Sequence, residues 1–304
     1  MKRTAAVIDG VTVSLSNLDK IFWPEDGYTK ADLINYYVQV APYLLPHLKD
    51  RPLVLTRYPE GIHGEWFYQK NTPAHTPTWL RRFPYHGKGA ERVVNYLLAE
   101  NAAALAWLAN QGALEIHPWM SRIDDLDRPD FAIFDLDPAE GATWDDVREV
   151  AHLLKKILGE FGLISFPKLS GATGLHVYLP LVRKYTYKDA AGFVELVARL
   201  LLDVYPERVT LERTVANRTG RVYIDYLQNI KGKTITSVYG VRPSPGAPVS
   251  TPIHWEELPH VHPQSFNFGN IFDRLGQVGD LFAPVLEVCQ EIDQAAAILT
   301  QEVL

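Results

Sequence analysis

The chain has 304 residues, 47% of them hydrophobic, with 30 Lys and Arg against 36 Asp and Glu and a formal net charge of −6. That length builds one large domain or two closely packed lobes, and no apolar run approaches the roughly 20 residues of a membrane span. A single cysteine, Cys289, excludes an internal disulfide and a cysteine-rich zinc site and reads as a buried, apolar-like helical residue. The basic start Met1-Lys2-Arg3 is interrupted by Asp9 and Gly10 before a signal-peptide core can form, so the expected location is cytoplasmic.

In chain order, Thr29 with Asp32 forms a variant capping box, and Leu33, Ile34, Tyr37, Val38, Ala41 and Leu45 follow the period of a helix. Residues 52–57, 65–69 and 92–96 read as strands, Ala99 to Asn110 as a compact Ala-rich helix, and Leu114 to His117 as a short strand. Phe131 to Asp137 is a buried strand ended by Pro138. Thr143 caps a helix that runs to about Phe161, with Gly162 as its stop. Strands at 164–169 and 175–180 flank a Ser-Gly-Ala-Thr-Gly turn, a helix follows from Tyr187 to Tyr205, and residues 223–227 and 234–239 are strands. An irregular Pro- and Gly-rich stretch covers 242–252, Pro284 suits the first turn of a helix, and the C-terminal helix spans about 281–304. Helices and strands without strict alternation give an α+β or mixed α/β fold.

The clearest chemical signal is Phe-Ala-Ile-Phe-Asp135-Leu-Asp137-Pro. Side chains at i and i+2 of a strand share a face, so Asp135 and Asp137 project together and repel unless a proton or a cation intervenes. A hard divalent metal suits such oxygen ligands; solvated aspartates at a strand end are the alternative. Asp225, on the expected strand 223–227, is a third carboxylate that needs a partner, either the same metal site or a neighbouring arginine. Three carboxylates from two strands suffice for two metal ions.

The segment Lys168-Leu-Ser170-Gly171-Ala-Thr173-Gly174-Leu-His176 carries two hydroxyls and two glycines whose backbone N–H groups form a possible phosphate nest, although an ordinary hairpin also needs glycines. Residues 164–247 hold 12 basic and 6 acidic side chains, among them Arg213, Arg218, Arg221, Lys231, Lys233 and Arg242. Local positive potential of this kind serves phosphate binding, or is ordinary surface charge. Trp66-Phe67-Tyr68 places three aromatics in succession beside Lys70, and at least one must be exposed and able to stack.

Taken in order, Asp-x-x-Lys20 with Lys30, Phe-Tyr-Gln-Lys70, Glu-Ile-His117-Pro-Trp, Asp135-Leu-Asp137-Pro, Ser170-Gly-x-x-Gly-x-His176, Asn217-Arg218-Thr-Gly-Arg, Asp225-Tyr-Leu-Gln228-Asn and Tyr239-x-x-Arg242-Pro resemble the polymerase domain of bacterial ligase D. That family belongs to the archaeo-eukaryotic primase superfamily and serves non-homologous end joining; the resemblance covers roughly residues 12–285. It implies a primase-polymerase core of central mixed and antiparallel sheets flanked by helices, with a DNA-end-binding portion over about 1–120 and a catalytic core over about 121–285 of a single domain. It further implies a nucleotidyltransferase with Asp135, Asp137 and Asp225 as ligands of two Mn2+ or Mg2+ ions. Ser170, Thr173, His176 and Arg218 would serve the triphosphate, His117 the sugar, and Gln228 and Arg242 the nucleotide. Phe67 and Tyr68 would stack on the incoming base, and Lys20 and Lys30 would hold the 5′-phosphate of a gapped end. The implied substrates are NTPs in preference to dNTPs and DNA with gaps or double-strand-break ends, at the nucleoid. The implied partners are a separate DNA ligase and a Ku-type protein, because 304 residues leave no room for a ligase segment.

Two positions depart from the family pattern: Ala172-Thr173 stands where relatives often carry a lysine, and Tyr68 where a second phenylalanine is usual. Two other readings compete with the enzyme: a catalytically inactive module that bridges DNA ends, and a nuclease using the same carboxylates.

Overall fold

The structure, a computed structural model, describes residues 3–87 and 92–303. The basic start Met1-Lys2 and the last residue of the expected C-terminal helix, Leu304, lie outside them. The chain forms two compact units: residues 1–124, 234–250 and 266–277 make the first, and 125–233, 251–265 and 278–304 the second. Residues 234–250 and 266–277 belong to the first unit. Their anchors there include the Tyr36 hydroxyl, which donates to the Tyr239 carbonyl at 2.6 Å, and the stacked rings of Tyr36 and Phe268, 4.6 Å apart.

The first unit opens with a hairpin, β1 (Arg3–Ile8) and β2 (Val11–Ser16). Asp9 and Gly10 form its turn with φ of 48° and 74°, the left-handed pair that a two-residue hairpin loop requires. A second hairpin, β3 (Ile21–Trp23) and β4 (Tyr28–Thr29), leads into helix α1 (Lys30–Leu48). Thr29 caps α1 and Asp32 completes the capping box. The main sheet is built around β5 (Leu53–Arg57), which pairs antiparallel with β6 (Phe67–Gln69) and, at Leu53, with β8 (Val94–Leu97); β8 pairs with β7 (Arg82–Tyr85). Helix α2 (Ala102–Asn110) is buried at every position, as small residues all round its axis permit, and packs on α1. It starts after Asn101, whose side chain accepts from the Ala104 N–H, so Ala99 lies outside it. Strand β9 (Ala113–Pro118) returns to pair with β5.

The second unit centres on β10 (Phe131–Pro138), flanked by α3 (Trp144–Glu160), β11 (Phe166–Leu169), β12 (Leu175–Pro180) and α4 (Tyr187–Val204). With β13 (Val209–Thr210) and β14 (Val222–Ile224) the sheet order is β11-β12-β10-β14-β13, antiparallel except for the parallel pair β13 and β14. This is the mixed α/β architecture that the sequence implies.

Three expectations change. The strand expected over 223–227 stops at Ile224, and residues 226–229 form a 3-10 turn begun by the Gln228 N–H to Asp225 carbonyl bond of 3.2 Å. The segment 234–239 is irregular apart from a bridge between Thr234 and Trp119, because Tyr239 takes a left-handed φ of 58°. The C-terminal region divides into a 3-10 turn, Ala283–Leu286, and a helix, Asp293–Val303; Cys289 lies in the extended link between them and is exposed rather than buried in a helix. Gln290 holds that link away from helical geometry by bonding the Ile164 backbone through both ends of its amide.

The short β14 leaves part of β10 without a strand neighbour. Asn229 replaces one: its Oδ1 accepts from the Ile133 N–H at 2.8 Å and its Nδ2 donates to the Ile133 carbonyl at 2.7 Å, with no exposure to solvent. Asn229→Leu leaves both backbone groups buried and unpaired, and the expected loss of stability in urea unfolding is about 2–6 kcal/mol; a loss below about 1 kcal/mol would show that β10 does not depend on this amide.

Candidate functional site

The catalytic candidates of the second unit lie across its sheet in one row. Register opposes Lys168 on β11 to His176 on β12, and His176 to Asp135 on β10. Directly opposed residues share a face, so the three side chains meet: Lys168 Nζ lies 2.7 Å from His176 Nδ1, and His176 Nε2 lies 3.5 Å from Asp135 Oδ1. Lys168 is fully buried, and its ammonium also lies 5.7 Å from the Tyr178 ring centroid. An ammonium has donors only, so Nδ1 accepts, and the imidazole proton sits on Nε2, toward Asp135. The sequence reading quoted Lys168 at the edge of the turn motif without giving it a role, since its contact with His176 follows from the β11–β12 register.

Asp137, two residues beyond Asp135, stands on the same face. Asp225 arrives from β14, and its N–H donates to the Asp135 carbonyl at 3.1 Å. The Tyr223 hydroxyl donates to Asp225 Oδ1 at 3.1 Å; burial and the Asp225 carboxylate push the Tyr223 pKa up to about 12. The Arg218 guanidinium carbon lies 3.5 Å over the Tyr223 ring centroid, while its Nε and one Nη donate to the Glu212 and Arg213 carbonyls. Arg218 is thus fixed beside the acidic group, with much of its donor capacity committed to backbone. Gln228 is buried in the 3-10 turn that follows Asp225.

The Ser170 turn differs from an open nest. Ser170 Oγ accepts from the Ala172 and Gly174 N–H groups at 3.1 and 3.0 Å, so these donors stabilise the turn itself. With both lone pairs engaged, the Ser170 hydroxyl has its proton left to offer. Thr173 is exposed at the tip. A Cβ on Gly174 would stand 2.3 Å from the Leu136 carbonyl oxygen and 2.9 Å from Asp137 Oδ1, so only glycine lets the turn approach the aspartates this closely.

Among the described residues no group of three or more His, Cys, Asp or Glu side chains converges closely enough to hold a metal ion. The donor chemistry nevertheless fits one: three hard carboxylates on neighbouring strands, two of them on one face. Carboxylates that ligate a metal are commonly hydrogen-bonded as well, so the Tyr223 contact of Asp225 and the His176 contact of Asp135 are compatible with a cation.

In the first unit a second transverse row runs through Tyr68 on β6, Thr56 on β5 and Glu115 on β9, with His117 two residues beyond Glu115 on the same face. Tyr68 and His117 rings are 6.4 Å apart at 64°. Arg242 forms a 2.7 Å ion pair with Glu115 and bonds Thr236. Trp66, Phe67 and Tyr68 are 53%, 44% and 63% exposed; Trp66 already stacks on Tyr58 with ring centroids 6.1 Å apart, and Tyr68 is the most open of the three. Arg57 lies 5.2 Å from the Phe67 ring centroid and bonds Gln69, which steadies β6.

Lys20 and Lys30 face each other where the β3–β4 hairpin opens, joined by the Lys30 N–H to Lys20 carbonyl bond of 2.8 Å. Lys20 Nζ pairs with Glu60 and the Pro59 carbonyl, and Lys30 Nζ donates to the Ser16 carbonyl at 2.7 Å. Burial, with the charges of Lys20 and Arg57, lowers the Lys30 pKa to about 8.

The family model that matches residues 29–282 is that of the LigD primase-polymerase domain, and the chain belongs to this family. It is 34% identical over 275 residues to the multifunctional non-homologous end joining protein LigD of Mycolicibacterium smegmatis, an alignment of 90% of this chain and 36% of that protein. It is 36% identical over 269 residues to the bifunctional non-homologous end joining protein LigD of Bacillus subtilis, covering 88% of this chain and 43% of that one. The chain therefore spans well under half the length of these relatives. Among solved structures, the polymerase domain from Mycobacterium tuberculosis ligase D in complex with DNA superposes with a TM-score of 0.85 at 31% identity, covering 91% of this chain and 99% of that one. Among the described residues no helix is long and apolar enough to cross a membrane.

The Gly174 contact generates a test. Gly174→Ala forces the turn off β10, with an expected stability cost of about 1–3 kcal/mol and loss of nucleotide binding in calorimetric titration. Wild-type affinity in this variant would show that the turn does not serve the nucleotide.

Proposed function

We propose that this chain is a DNA-directed nucleotidyltransferase that adds nucleotides, ribonucleotides in preference to deoxyribonucleotides, at gaps and broken DNA ends during non-homologous end joining. The observation that carries this reading is the grouping, in a member of the LigD primase-polymerase family, of Asp135 and Asp137 with Asp225, His176 and the Ser170 turn. The relatives' names and the DNA bound to the structural neighbour support DNA as substrate.

The reaction joins the primer's terminal 3′ oxygen to the α-phosphorus of a nucleoside triphosphate as the bond to pyrophosphate breaks. Two Mn2+ or Mg2+ ions, held by Asp135, Asp137 and Asp225, would supply charge neutralisation and hydroxyl activation. The Ser170 hydroxyl and the His176 Nε2–H are donors suited to triphosphate oxygens, and Thr173, Arg218 and Gln228 stand near that end of the sheet. The family resemblance assigns Phe67 and Tyr68 to the base, and His117 and Arg242 to the sugar and nucleotide. Lys20 and Lys30 take the 5′-phosphate: an incoming dianion offers their ammonium groups a stronger partner than Glu60 and backbone carbonyls do. The work fits a cytoplasmic, nucleoid-associated protein acting with a DNA ligase and a Ku-type end-binding protein.

The alternative is end bridging without chemistry. Primer extension on gapped DNA with Mn2+ and ribonucleotides decides between them. The expected result is lengthened primers, with extension abolished and DNA binding kept in Asp137→Ala or Asp225→Ala. Binding without extension supports bridging, shortened primers indicate a nuclease, and near-normal extension by either variant overturns the site. A 5′-phosphate on the downstream strand is expected to tighten binding, and Lys20→Ala with Lys30→Ala to remove that advantage. The advantage should be greatest below about pH 8, where Lys30 carries its proton before the phosphate arrives, and should shrink as pH rises through that value.

A further inference from the structure

Glu115 is a carboxylate with only 6% exposure, in a sheet that also buries Thr56 and His117. Burial pushes its pKa up, but the hydrogen bond from His117 and the charge of Arg242 outweigh burial and hold it below the ordinary glutamate value. Two groups meet its two oxygens. Arg242 Nη1 lies 2.7 Å from Oε1 and His117 Nε2 lies 3.5 Å from Oε2, while Thr56 stands directly opposite Glu115 across β5 and β9. Thr56 Oγ1 in turn lies 3.0 Å from His117 Nε2. The His117 proton therefore belongs on Nε2, shared between a hydroxyl oxygen and a carboxylate, and Nδ1 is the ring's acceptor.

His117 lies edge-on to Tyr68, the most exposed of the three consecutive aromatics. A base stacked on Tyr68 brings its attached sugar within reach of the His117 ring, since base and sugar are directly bonded. An imidazole acceptor there distinguishes a sugar that has a hydroxyl proton to donate from one that lacks it. A site built to bond a hydroxyl penalises the analogue that leaves the protein group unpaired.

We propose that Glu115 is the positioning residue for sugar selection: with Thr56 it fixes the His117 tautomer that accepts from a ribose hydroxyl, and it anchors Arg242 beside it. The inference rests on the proposed nucleotidyl transfer and adds the residue that sets its choice of sugar. Glutamine has the shape of glutamate but a single acceptor oxygen, so it cannot offer one oxygen to Arg242 and another to His117.

The test compares kcat and KM for a ribonucleoside triphosphate and its deoxy counterpart in wild type, Glu115→Gln and Thr56→Val. Calorimetric binding of the same two nucleotides gives the comparison without turnover. Wild type is expected to favour the ribonucleotide. In Glu115→Gln that preference should fall by about tenfold, the factor that one hydrogen bond commands, with the ribonucleotide values falling further than the deoxyribonucleotide values. Thr56→Val, which leaves the Glu115–Arg242 pair intact, should reduce the preference in the same direction. An unchanged preference, an equal loss for both sugars in a folded variant, or a wild type that binds both sugars equally would overturn the proposal. Absence of extension by wild type, with sugar discrimination in binding retained and lost in Glu115→Gln, would remove the polymerase reading and leave Glu115's role standing.

Discussion

Antiparallel register decides which side chains of this protein can meet. Residues directly opposed on neighbouring strands project from one face, and a shift by a single position sends the whole set to the other. The row Lys168, His176, Asp135 spans β11, β12 and β10, and the row Tyr68, Thr56, Glu115 spans β6, β5 and β9. Each row brings together residues far apart in sequence without recourse to a loop. Asn229 belongs to the same logic, because its amide completes the pairing of β10 where β14 ends and so keeps the strand that carries Asp135 and Asp137 in place.

The cost of this arrangement is buried polarity. Lys168 has no exposure, and Glu115 and Lys30 have 6% each. An isolated charge in such places would be neutralised or expelled. Each is instead compensated locally: Lys168 by the His176 nitrogen and the Tyr178 ring, Glu115 by Arg242 and His117, and Lys30 by the Ser16 carbonyl at a lowered pKa of about 8. Pairs of this kind contribute little net stability, yet removing one member leaves the other uncompensated. Their retention is better explained by orientation: Lys168 sets the protonated nitrogen of His176, and Glu115 that of His117.

Local signals in the sequence were read well where a short pattern has one physical meaning. The Asp135 and Asp137 alternation, the capping boxes at Thr29 and Thr143, and the turn between β11 and β12 all appear where expected. Asp9-Gly10 was legible too, as a hairpin turn, but its meaning as a break in a leader segment obscured that reading. Glu115 and Lys168 stood in the quoted motifs, but a carboxylate or ammonium shows no role until strand register supplies its partner. Apolar and β-branched residues over 234–239 suggested a strand, and the left-handed Tyr239 prevents one. The return of 234–250 and 266–277 to the first unit is a long-range property that no local window contains.

The central claim is that Asp135, Asp137 and Asp225 act as one cation-binding group beside the Ser170 turn. The most direct measurement is Mn2+ binding followed by electron paramagnetic resonance with a nucleoside triphosphate present, in wild type and in Asp137→Ala and Asp225→Ala. The account predicts two protein-bound ions per wild-type chain and fewer in each variant, with circular dichroism unchanged. Equal Mn2+ stoichiometry and affinity in all three proteins would contradict it.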